Sequence, residues 1–169
     1  MINSKLMSKF LDKAILKLSG EWIIIGGTVL PLVGIDHRVT VDIDIINLKM
    51  ENSTKETIAL MEIAESLKLP VESINQAGAY FLSKIDDVKD HLVLIKESKK
   101  CKIYRPDVYL FVKLKIERFS ETDLDDCLIF IQKNGPEYLL HKKKIQAILN
   151  KKLKVSKDEQ KKRLLKLLS

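Results

Sequence analysis

Trp22-Ile23-Ile24-Ile25-Gly26-Gly27-Thr28, followed further on by Arg38-Val39-Thr40-Val41-Asp42-Ile43-Asp44, is the stretch that decides the fold. Trp22 to Ile25 is a short, uninterrupted apolar run, which predicts a buried strand. Gly26-Gly27 ends it in a tight turn. Thr28 is then placed to cap a short helix through about Val33, with Pro31 tolerated in its first turn. From Val39 to Leu48 apolar and polar residues alternate. Val41, Ile43 and Ile45 fall on one face of a strand, and Arg38, Thr40, Asp42 and Asp44 on the other. That strand is too apolar to be a solvated edge.

Working outward, Phe10, Leu11, Ala14, Ile15 and Leu18 recur at helical spacing and predict an amphipathic helix over 5–18, ended by Gly20. Ser53-x-x-Glu56 is a capping-box start for a helix through Ile58, Met61, Ala64 and Leu67, stopped before Pro70. Tyr80–Ile85, Leu92–Ile95 and Lys102–Tyr104 read as short strands. From Asp107 the pattern is helical, with segments near 107–119, 123–133, 137–150 and 157–168. Asn134-Gly135-Pro136 divides the second from the third, and Ser156-x-x-Glu159 reads as a capping box for the fourth. The expected architecture is α/β (α+β): a mixed sheet flanked by helices over 1–106, then a helical C-terminal part, 107–169, packed on that core as one unit.

Composition narrows the function classes. With 46% hydrophobic residues in 169, the chain can bury a real core. Cys101 and Cys127 sit in no Cys/His cluster, so a zinc site is not expected. Two thiols without a signal-like h-region suit a reduced, cytoplasmic setting. The longest uncharged run, Trp22 to Ile35, is broken by glycines and Pro31 and falls short of a membrane span. The net charge is +7, but residues 141–169 hold eleven Lys or Arg against Asp158 and Glu159. That segment carries +9 and leaves the rest at −2. A basic tail beside a mildly acidic body fits a polyanionic partner, or else a solvated lysine-rich helix face.

The chemistry is carried by the turn and the alternating strand. Asp42 and Asp44, two residues apart on a strand, lie about 6.5–7 Å apart along the backbone and point the same way. Such paired carboxylates suit divalent metal ions that neutralise a triphosphate. Glycines at 26 and 27 let backbone approach phosphate, and Thr28 adds a hydroxyl. No GxxxxGK[ST] and no GxGxxG is present, which excludes a Walker A loop and a dinucleotide fingerprint.

The combination of Gly26-Gly27-Thr28 with Arg38-x-Thr40-x-Asp42-x-Asp44 resembles the signature of the nucleotidyltransferase superfamily, of the DNA polymerase β type. It looks most like the small bacterial members found in toxin–antitoxin and abortive-infection systems. Lys113-Leu114-x-x-x-Arg118, then Asp123-x-x-Asp126, is similar to their helical K-L-x-A-x-R and D-L-x-D motif, with Ile116 in place of the alanine. The resemblance implies an NTP substrate with Mg²⁺ or Mn²⁺, and transfer of a nucleoside monophosphate to a hydroxyl of RNA (tRNA) or of a protein such as a cognate toxin or antitoxin. Asp42 and Asp44 would bind the metals. Gly26, Gly27, Thr28, Arg38 and Thr40 would hold the nucleotide, Lys113 would meet the triphosphate, and Asp123 or Asp126 would be the base. One departure stands out. Many active members carry a third carboxylate on a later central strand, whereas Tyr80–Ile85 has no acid in its middle and Asp86 and Asp87 only follow it. The alternative is a catalytically degenerate, nucleotide-binding or partner-binding protein.

Overall fold

β1 (Gly20–Ile25) is the middle strand of a five-stranded sheet. Its hydrophobic run is buried from Trp22 to Ile25, as an internal strand requires. β2 (Ile43–Asn47) pairs with it antiparallel, and β5 (Cys101–Pro106) pairs with it parallel on the other side. β3 (Ile74–Asn75) extends the sheet beside β2, and β4 (Leu92–Glu97) closes the far edge beside β5, giving the order β3-β2-β1-β5-β4. The computed structural model describes residues 1–36, 39–50 and 53–169. They divide into two units, Met1–Pro106 and Asp107–Ser169. The first is the mixed α/β unit expected from the alternation of patterns.

One face of the sheet is covered by α1 (Ser4–Lys17) and α3 (Thr54–Ser66). Trp22, Ile24, Ile43, Ile45, Ile74 and Ile103 point to that side and cluster with Phe10, Ala14, Leu60 and Ile63. Trp22 keeps its indole N–H satisfied by donating to the Ser19 carbonyl at 2.8 Å. Strand alternation then turns Ile23, Ile25, Asp44 and Ile46 to the opposite face. The Ser53/Glu56 capping box that starts α3 is formed in both directions.

The alternating strand is shorter than its sequence pattern. It begins at Ile43, not Val39, because β1 ends at Ile25, whose partner is Asp44. Without a ladder partner the preceding residues leave the sheet. Val39 and Val41 are 65% and 60% exposed, and the Thr40 carbonyl accepts from the Ile2 amide instead.

Tyr80–Ile85 is not a strand. Ala79–Leu82 form a one-turn helix, α4, held by Leu82 N–H donating to the Gly78 carbonyl and by the Ser83 hydroxyl donating to the Tyr80 carbonyl. Leu82 anchors it in the core while its neighbours stay outside, a burial pattern that mimics alternation over three residues.

The second unit is all helical: α5 (Val108–Lys115), α6 (Glu121–Lys133), α7 (Gly135–Leu153) and α8 (Asp158–Leu168). Phe111 and Phe130 stack with ring centroids 4.3 Å apart between α5 and α6. Asp107 caps α5 by accepting the Leu110 N–H. The capping box expected at Ser156 is absent. Its hydroxyl donates to the Lys152 carbonyl at the end of α7, and α8 begins after Lys157 with no side-chain cap. Among the described residues, no helix is long and apolar enough to cross a membrane.

Candidate functional site

Gly26 follows β1 with φ +71, a left-handed backbone that disfavours any residue with a Cβ. A Cβ built there would lie 2.5 Å from Oδ2 of Asp44. The half-buried Asp44 carboxylate therefore occupies the place a side chain would take, against bare backbone. The hairpin register sets this up, since Ile25 faces Asp44 directly and Asn75 of β3 continues the row. Asp42 lies two residues earlier, exposed, just outside the ladder. Backbone and carboxylate thus meet at the open end of two central strands, in a setting of hard oxygen donors that fits Mg²⁺ or Mn²⁺.

The other residues of the expected site divide. Gly27 is half-buried in the same 3₁₀ turn, Gly26–Thr28. Thr28 is fully buried and donates its hydroxyl to the Ile25 carbonyl at 2.9 Å, so it holds the turn together from inside. It does not cap the following helix, α2 (Val29–Leu32), which has four residues and therefore little dipole to offer an anion. Thr40 is half-buried on the segment that leaves the sheet. Arg38 lies outside the described residues, as does His37.

The strands do not supply a third carboxylate at this end. β5, parallel to β1, contains no acid, and β4 has only Glu97, paired with Lys102 at the opposite end of the sheet. Asp86 and Asp87 precede the 3₁₀ turn that leads into β4.

In the helical unit the structure brings Asp123 and Asp126 together, with a partner that the sequence pattern did not single out. Lys115, buried on α5, donates to Asp123 at 3.0 Å and to Asp126 at 2.7 Å, and all three side chains are withdrawn from solvent. Arg118 adds two hydrogen bonds to Asp123 from the exposed side. Ser120 exchanges a capping box with the same carboxylate at the start of α6. Lys113, two residues before Lys115, is half-buried with its ammonium 5.2 Å from the centre of the Tyr109 ring. The clue to Lys115 was a charge inside the apolar helix VYLFVKLK, opposite two acids spaced to share one face.

Burial pushes the Asp123 carboxyl up, but the Arg118 guanidinium, the Lys115 ammonium and Ser120 outweigh it and hold the group well below the usual carboxylate range. A carboxylate with so little affinity for protons suits fastening α5 to α6 better than accepting a proton near neutrality. Its pH signature has a definite sign. The folded pKa lies below the unfolded value of about 3.9, so its stabilisation is complete above that value and is lost as pH falls through the folded one. Melting temperatures of the wild type and of Asp123→Asn should differ at pH 7 and converge as the pH is lowered below about 4. A constant gap across that range would mean that Asp123 is not held in this way.

A family model described as "Nucleotidyltransferase of unknown function (DUF6036)" matches residues 4–166. No curated protein and no solved structure matches the chain.

Proposed function

The chain belongs to this nucleotidyltransferase family, and we propose that it transfers a nucleoside monophosphate from an NTP to a hydroxyl of RNA, with tRNA the first candidate, or of a protein. The observation that carries this reading is the Asp44 carboxylate set against the bare backbone of Gly26. Gly26 and Gly27 would let the phosphates approach the chain, with Thr28 keeping the turn in shape from below. Asp42 and Asp44 would hold Mg²⁺ or Mn²⁺, which when bound offsets triphosphate charge. Arg38, Thr40 and Lys113 would make the remaining contacts to the nucleotide. In the reaction the acceptor hydroxyl oxygen attacks the α-phosphorus and gives up its proton to solvent, the bond to the bridging oxygen breaks, and pyrophosphate leaves.

Asp123 and Asp126, expected as candidate bases, serve in this reading to fasten α5 to α6 through Lys115. The surplus of positive charge in 141–169 favours RNA as acceptor. A cognate toxin or antitoxin is the protein-class alternative. A second reading, a nucleotide-binding protein without catalysis, is favoured by one specific observation: no acid lies on β5 or on the neighbouring end of β4.

The test is a transfer assay with labelled NTPs, Mg²⁺, and either total tRNA or a co-expressed neighbouring protein. Label should move to one acceptor class. Lys113→Ala should lower that transfer by about 10²-fold with an unchanged melting temperature, because a cation aimed at shifting charge acts in the transition state. Wild-type protein that binds NTP yet labels neither acceptor class selects the binding-only reading.

A further inference from the structure

We infer that Tyr80 and Phe81 form the stacking platform for the base of the nucleotide. The inference rests on the reading of Gly26, Asp42 and Asp44 as a triphosphate site, and it names the feature that would select a nucleotide over bare polyphosphate. Among the described residues, these two are the exposed members of the Trp, Tyr and Phe set, at 64% and 53%. Adjacent aromatic rings left in water are costly unless something covers them.

Their position ties them to the site. Asn75 stands beside Asp44 in the β2–β3 register, and the chain then runs through Gln76 to Gly78. A Cβ at Gly78 would meet Ile25 Cδ1 at 2.4 Å and Ile46 Cδ1 at 3.3 Å. The segment therefore lies against the sheet face that Asp44 shares with Ile25 and Ile46, immediately before the Gly26 turn. Gln76 secures it by accepting the Asn47 N–H, and Leu82 anchors α4 from the other side. Tyr80 and Phe81 are carried two and three residues beyond that contact.

The two rings are in contact with each other. They meet edge to face, 5.6 Å between centroids at 75°. The Lys84 ammonium sits over one face of the Tyr80 ring, 4.0 Å from its centre, and leaves the other face for a stacking partner. An exposed ring on the segment that packs against Ile25, the residue before Gly26, matches a nucleobase, whose π-face stacks on aromatics with little regard to sequence. An apolar protein partner would gain nothing from the Lys84 ammonium.

Calorimetric titration of the full chain in Mg²⁺ with ATP, UTP and inorganic tripolyphosphate tests this. The wild type should bind both NTPs more tightly than tripolyphosphate. Tyr80→Ala and Phe81→Ala should each weaken NTP binding ~10-fold and leave tripolyphosphate binding and melting temperature unchanged, since stacked bases contribute at this level. Tyr80→Phe should retain NTP affinity. Unchanged NTP affinity in both alanine variants overturns the platform, and so does an equal loss for tripolyphosphate. If the wild type binds tripolyphosphate as tightly as ATP, the phosphate site stands and the platform falls. If it binds neither ligand, the triphosphate reading fails and the platform with it.

Discussion

Gly26→Ala is expected to remove measurable NTP binding and to lower stability by about 1–3 kcal/mol, the usual cost of a side chain forced into a left-handed backbone. The two effects have separate causes. The stability loss follows from φ +71. The binding loss follows from the new Cβ, which arrives 2.5 Å from Asp44 Oδ2 and must drive the carboxylate from its position. Gly20→Ala separates them. Gly20 starts the same strand with φ +86, and a Cβ there meets nothing within 4 Å. That variant should show a similar stability loss with NTP affinity intact. Titration and thermal melting on both variants provide the check. Equal loss of binding in Gly20→Ala would assign the effect to strand damage and not to the notch beside Asp44.

Lys115→Ala carries the largest expected effect on stability, about 3–5 kcal/mol, because removing one partner of a buried ion cluster strands the others. Asp123 and Asp126 would face each other without the ammonium that both now contact, while Arg118 keeps its hydrogen bonds to Asp123. A loss of that size is a large part of the total for a chain of this length. Lys115 is one of the groups that hold the Asp123 carboxyl low, and that stabilisation is already lost in acid, so the deficit should shrink as pH falls. Adding Asp126→Asn to Lys115→Ala should recover part of the loss. Urea unfolding midpoints at pH 7 and pH 5 measure all three statements. A Lys115→Ala protein as stable as wild type would mean that the cluster is dispensable to the fold.

Legibility in the sequence varied with the range of the interaction. The buried run Trp22–Ile25, the Ser53/Glu56 box and the helical tail were readable because hydrophobic period and local capping act over a few residues. The acidic strand was readable in type but not in length, since its start is set by where β1 ends, on another part of the chain. Tyr80–Leu82 misled because one buried leucine between exposed neighbours has the same short-range pattern in a turn of helix as in a strand. Ser156 misled because its hydroxyl had a closer acceptor in the preceding helix. Gly26 and Asp44 were singled out in the sequence by residue type alone, and their approach to each other follows from the strand register. Lys115 was not, because its role depends on α6 folding back over α5.

Calorimetric titration of NTP with and without EDTA reads directly whether Gly26, Asp42 and Asp44 form a metal-dependent triphosphate site. Two nearby carboxylates repel a triphosphate unless a cation lies between them. Wild-type protein should bind NTP in Mg²⁺ or Mn²⁺ and lose that binding in EDTA, and Asp42→Asn/Asp44→Asn should bind poorly with metal present. Equal NTP affinity with and without EDTA, or an undiminished affinity in the double variant, would mean that Asp42 and Asp44 hold no metal for the triphosphate.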